Sequence, residues 1–160
     1  MEKDFELKGI QDVMKKLNEA AGKLENRSMS GIIKAMILVH RSVETQEPKV
    51  PVDTGNLRHS WFYVTNRGKG KTNASFKGKD AGKMSGDHSA VVARAKATAQ
   101  SERWPTGVFG FSANYGTFVH ENLEPTVRWN RQGSGPKYLE AAIKREKNNM
   151  LKVIHEEAKL

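Results

Sequence analysis

The chain is expected to fold as an α+β domain. It would have two N-terminal helices and a C-terminal helix packed on one face of a small antiparallel β-sheet, with a long basic loop or arm inserted between strands. Three observations predict this. Apolar residues recur at 3–4 residue spacing over the first 45 residues and again near the C-terminus. Short aromatic and β-branched runs fill the middle of the chain. Between those runs lies a stretch rich in Gly, Lys, Ser and Asn that can bury little surface.

The first helix is expected from Phe5 to about Leu24, where Ile10, Val13, Met14, Leu17, Ala21 and Leu24 form an apolar stripe between charged positions. Asn26, Ser28 and Ser30 suggest a break, with Ser28 or Ser30 capping a second helix that reaches about Thr45. That second helix carries Ile32, Ile33, Met36, Ile37, Val39 and Val43 and reads as the central core helix. Pro48 and Pro51 end it and impose an extended approach to the stretch "VPVDTGNLRHSW", 50–61.

"LRHSWFYV", 57–64, reads as a strand. Residues 66–88 read as a mobile loop or extended arm, the first part of a basic insertion over 66–104 with room for a hairpin. "SAVVARAKA", "TGVFGFSA" and "YGTFVHE" (115–121) are further candidate strands. A last helix is expected from Pro136, a residue suited to a first helical position, with Leu139, Ala142, Ile143, Met150, Val153 and Ile154 on its apolar face. The 160 residues fit a single domain.

Composition narrows the function classes. The chain has no cysteine, which excludes disulfides and thiolate chemistry and makes a cytosolic origin the simpler expectation. No run of about 18 apolar residues suggests a membrane span, and "MEKDFELKG" has no apolar signal core. The net charge of +9 is uneven: residues 66–104 hold nine Lys/Arg against three Asp/Glu, so most of the excess lies there. A polyanionic neighbour of that segment is one reading, and a solubilising loop is the other.

The candidate chemistry is thin. Asp53-Thr54-Gly55 is the triplet of aspartic-protease catalytic turns, which need a hydrophobic lead-in strand and a second carboxylate sharing a proton. Here the lead-in is "QEPKVPV" and the follow-on is "NLRHS", so the context argues against catalysis. A structural turn explains more residues. Pro51 fixes the entry, Asp53 or Thr54 accepts backbone N–H bonds, Gly55 takes positive φ, and Leu57 anchors in the core. Arg58 then projects toward a carboxylate. None of the five histidines falls into a metal-ligand spacing, and "GKGKT" at 68–72 lacks the spacing of a phosphate-binding loop. No cofactor, metal or catalytic residue is assigned.

Three pieces occur in a definite order: "VPVDTGNLRHSW", "ANYGTFVHEN" and "GPKYLEAAIKREKNNM". Together they resemble the tail-component family of tailed bacteriophages, the tail-completion or head-to-tail joining (neck) proteins. The first motif matches at Pro51, Asp53, Thr54, Gly55, Leu57, Arg58 and Ser60, and the third at Pro136, Tyr138, Leu139 and Ala142. The second departs from the family pattern, because Gly116-Thr117 precedes Val119-His120-Glu121, where the family more often puts the Gly-Thr after the Glu.

The resemblance implies a non-enzymatic virion protein, assembled in the host cytoplasm as a homo-oligomeric ring of six or twelve copies at the head–tail junction. Its partners would be a connector or adaptor and tail-tube or tail-terminator proteins, with DNA passing through the lumen and no membrane. Arg67, Lys69, Lys71, Lys77, Lys79 and Lys83 then mark a basic arm facing DNA or a partner, disordered in the monomer and fixed on assembly. The alternative is a small basic nucleic-acid-binding module.

Overall fold

In the computed structural model, which describes residues 8–159, the chain forms five helices and a three-stranded antiparallel sheet, an α+β fold. Its elements run α1 (Lys8–Thr45), α2 (Asn56–His59), β1 (Trp61–Thr65), β2 (Gly70–Lys71), α3 (Ala81–Gln100), β3 (Gly107–Phe111), α4 (Gly116–Glu121) and α5 (Tyr138–Ala158).

The two expected N-terminal helices are one. α1 runs 38 residues without a break, and the expected start at residues 5–7 lies outside the described residues. Asn and Ser cost a helix only fractions of a kcal/mol each, which tertiary contacts override. Here the residues that read as a break are where α5 docks. Met29 is buried, and the Ser30 hydroxyl donates to Glu157 Oε2 at 3.1 Å. A Cβ on Gly31 would lie 2.7 Å from the Ile154 Cα. α5 lies antiparallel to α1, since Arg145 reaches the Ser42 hydroxyl at 2.9–3.0 Å near the other end of the pair.

The sheet order is β2-β1-β3, with β1 in the middle. Trp61 pairs with Phe111 and Tyr63 with Phe109 on one side, and Tyr63 pairs with Lys71 on the other. Helices cover both faces rather than one. Trp61 stacks on His40 of α1 at 4.6 Å, while Phe62 and Val64 pack with Val92 and Ala95 of α3. This double coverage explains why β1 is buried almost throughout instead of alternating.

α3 replaces two sequence expectations, the end of the mobile arm and the strand at "SAVVARAKA". Met84, His88, Val92, Ala95 and Ala99 are its buried residues, a 3–4 residue spacing that only a helix can present to one neighbour. The segment over 66–104 is therefore a hairpin turn, a strap over 72–77 that turns at 78–80, and a helix. Strand β3 lies within the expected "TGVFGFSA".

Three boundaries also differ. Residues 57–59, expected as strand, belong to the short turn α2 that Gly55 opens at φ 88°. Residues 116–121, expected as strand, form α4, because alternation makes a strand only where a neighbouring strand can pair with it. Finally, Lys137 takes a left-handed conformation (φ 57°), so α5 starts at Tyr138 rather than Pro136.

Candidate functional site

The turn after α1 is the best-organised part of the surface. Pro51 is buried, and Val50 N–H returns to the Val43 carbonyl at 2.8 Å, which folds the chain back over the end of α1. Asp53 is exposed and accepts from Asn130 Nδ2 at 3.1 Å. Thr54 Oγ1 accepts from Asn56 N–H at 3.4 Å, and Gly55 holds the positive φ that begins α2. Leu57 enters the core, and Arg58 Nε donates to Glu44 Oε2 at 2.7 Å. Ser60 is fully buried, its hydroxyl donating to the Leu57 carbonyl at 2.7 Å and its own carbonyl accepting from Ser112 N–H at 3.1 Å. All seven residues singled out in the sequence thus belong to one continuous turn.

Two distant segments close on that turn. Leu57 shares a core cluster with Tyr138 and Ala142 of α5, and Val119 of α4 packs against it. Gly116 allows the approach, since a Cβ there would lie 3.2 Å from Leu57 Cδ1. The Tyr115 phenol faces the Leu57 backbone and the Thr54 side chain. Burial pushes its pKa up, against the opposing pull of those two groups. Lys137 N–H donates to the His120 carbonyl at 2.7 Å, and the His120 ring meets Tyr138 edge-on at 5.0 Å. Glu121 pairs with Lys137 and His120, and first Lys137, then His120, hold its carboxyl below the usual carboxylate range. Beside these contacts Val52, Leu57, Tyr115, Val119, Val127 and Trp129 line a cleft of about 270 Å³.

The six basic positions do not share one arm. Arg67 pairs with Glu25 and Lys69 lies in the β1–β2 turn, where its backbone bonds Thr65 Oγ1. Lys71 lines a different groove with His40 and Arg58. Lys77, Lys79 and Lys83 come together along a third groove, which Asp53, Asn56 and Tyr115 also line. The strap that carries Lys77 is held at two points. Asn56 both donates to the Lys77 carbonyl (2.9 Å) and accepts from its N–H (2.8 Å). His88, whose other ring nitrogen meets Ser112 Oγ at 2.6 Å, contacts the Thr72 carbonyl at 2.7 Å.

Asn56, His88, Arg131 and Asn66 are organising residues that sequence pattern does not single out. Arg131 reaches Glu44 and the Val50 carbonyl, and Asn66 holds the Trp104 and Glu102 carbonyls at 2.7 and 3.1 Å. Only His88 carries a signal, as the polar member of the spacing 84, 88, 92, 95, 99.

Comparison of the chain with protein families, with characterised proteins and with solved structures returns no match. Among the described residues no group of three or more His, Cys, Asp or Glu could hold a metal ion, and no helix is long and apolar enough to cross a membrane. The arrangement is a hydrogen-bonded turn, a cleft beside it and grooves lined by basic residues around it.

Proposed function

We propose that the chain is a structural virion protein of a tailed bacteriophage. In this reading it assembles as a ring of six or twelve copies at the head–tail junction, in contact with a connector or adaptor on one side and tail-tube or tail-terminator proteins on the other. It is put together in the host cytoplasm, and DNA passes through the lumen. One observation carries the reading. The three segments that resemble the tail-component family are far apart in sequence and meet at Leu57, Val119 and Tyr138. In that ring the basic residues outside the junction, apart from Arg67, which pairs with Glu25, would face DNA or a neighbouring ring.

The test is negative-stain imaging and native mass of the full chain without nucleic acid. A closed ring of six or twelve copies is the expected result, and a chain that stays monomeric overturns it.

A second reading, a nucleic-acid-binding module, has its own observation. Arg103 lies 5.4 Å over the ring of Trp104, which is 66% exposed, and Asn66 ties that loop to the turn bearing Arg67 and Lys69. An exposed aromatic among cations suits stacking and backbone contact. Monomeric binding to DNA that weakens with salt by a slope of several phosphates, and that is lost on Trp104→Ala, would favour this module over the ring.

A further inference from the structure

Among the described residues, side-chain bonds from α1 to α5 begin at Arg27, whose Nε donates to the Glu157 carbonyl at 2.9 Å, beside the Ser30–Glu157 and Lys34–Glu157 bonds. Residues 11–20 of α1 are exposed on every side. At 1.5 Å per residue, residues 11–24 form an arm roughly 20 Å long. It is not polar all round. Val13, Met14, Leu17 and Leu24 are 55%, 57%, 63% and 42% exposed and fall on one helical strip. Lys16 and Lys23 border that strip on one side.

A second apolar surface lies elsewhere on the same chain. Phe118 and Leu123, 73% and 67% exposed, line a cleft with Pro125, and Glu121 and Glu124 stand on it. One surface is apolar with two lysines along one border, and the other is apolar with Glu124 beside a Glu121 already paired with Lys137 and His120.

We propose that the α1 arm of one copy docks its Leu17 strip in the Phe118–Leu123 cleft of a second copy, with Lys16 and Lys23 beside Glu124. The contact is heterologous, using two different patches, and such contacts build rings or open chains. Charge selects this occupant over a second arm. An antiparallel pair of α1 strips would bring the lysine borders of both helices together, whereas the cleft brings the Glu124 carboxylate. The proposal deepens the self-assembly reading above by naming the surfaces involved, and it rests on that reading.

The experiment measures the oligomeric state of the full chain by analytical ultracentrifugation up to about 50 µM, with far-UV circular dichroism as the folding control. The wild type is expected to self-associate, and Leu17→Glu and Phe118→Ser each to weaken association by roughly tenfold or more while staying folded, since both residues are exposed. Lys16→Glu with Lys23→Glu, and separately Glu124→Lys, should each weaken it, and the chain carrying all three should recover.

A wild type that remains monomeric overturns the proposal, as does assembly indifferent to Leu17→Glu. Loss with Leu17→Glu but not with Phe118→Ser also overturns it, in favour of arm-to-arm pairing. An open chain that needs both Leu17 and Phe118 keeps this contact and removes the ring. A closed ring indifferent to both does the reverse.

Discussion

Asn56 has little in its own neighbourhood to recommend it: a polar residue after a glycine, 6% exposed. Its amide nevertheless satisfies both backbone groups of Lys77, 21 residues on, and so ties the strap to the turn. Asn56→Ala leaves a carbonyl and an N–H under-satisfied, at a cost of about 1–3 kcal/mol. Urea unfolding should show that loss, and hydrogen exchange should show it concentrated over 72–80. His40 gives a second prediction at this scale. Burial lowers its pKa from 6.5 and outweighs the opposing pull of Glu44, while Lys71 and Arg58 lower it further. Below pH 6.5 the unfolded chain therefore binds more protons than the folded one. The contribution is intact above that pH and is lost as pH falls through the unfolded value toward the folded one. The midpoint of thermal unfolding should drop between about pH 7.5 and 5.5, and His40→Phe, which keeps a ring on Trp61, should flatten that part of the drop.

Among the elements, the α1–α5 pair depends on backbone approach at Gly31. A Cβ there would stand 2.7 Å from the Ile154 Cα and 3.2 Å from its carbonyl oxygen, so a side chain cannot be absorbed by a rotamer change. Gly31→Val should cost about 1–3 kcal/mol through forced separation of the helices, read as a lower urea midpoint. Ser28→Ala nearby, half-buried and without such a contact, should change little.

Element type is legible where periodicity is strong and misread where tertiary contact decides. The stripe Val13, Leu17, Leu24 correctly announces a helix, and "TGVFGFSA" a strand. Asn26 and Ser30 look like a boundary, yet packing on α5 carries the helix through them. α3 is hidden because its buried face is two alanines, a histidine, one methionine and one valine, too weakly apolar to stand out among the lysines. The turn at 51–60 is readable because its constraints are local: a proline, a positive-φ glycine and an arginine that finds Glu44. Asn56, Arg131 and Asn66 are invisible because their partners lie 21 to 87 residues away in sequence.

At the scale of the whole molecule the chain divides into a body, with helices on both faces of a sheet, and an arm that leaves it. The basic excess belongs to the body as well as to any arm, since Lys77, Lys79 and Lys83 lie on a strap and helix packed against the core. The arm has little tertiary stability of its own, so it should open locally long before the body unfolds. Trypsin should cut first at Lys15, Lys16 and Lys23 and leave the rest intact for longer, as mass spectrometry of a time course would show. Protection of those three sites at concentrations where the chain self-associates would accompany docking of the arm.

The continuity of α1 has a thermal consequence. A lone helix of the arm's length is marginal in water, because its first turn must be nucleated at a large entropic cost. Here the body has already formed that nucleus, and the hydrogen-bond ladder simply propagates outward from Arg27. The arm should therefore shed helicity residue by residue from its tip on warming, giving a sloping, non-cooperative loss of ellipticity below the sharp transition of the body. The reach of the arm then becomes a graded function of temperature rather than a two-state property of the fold.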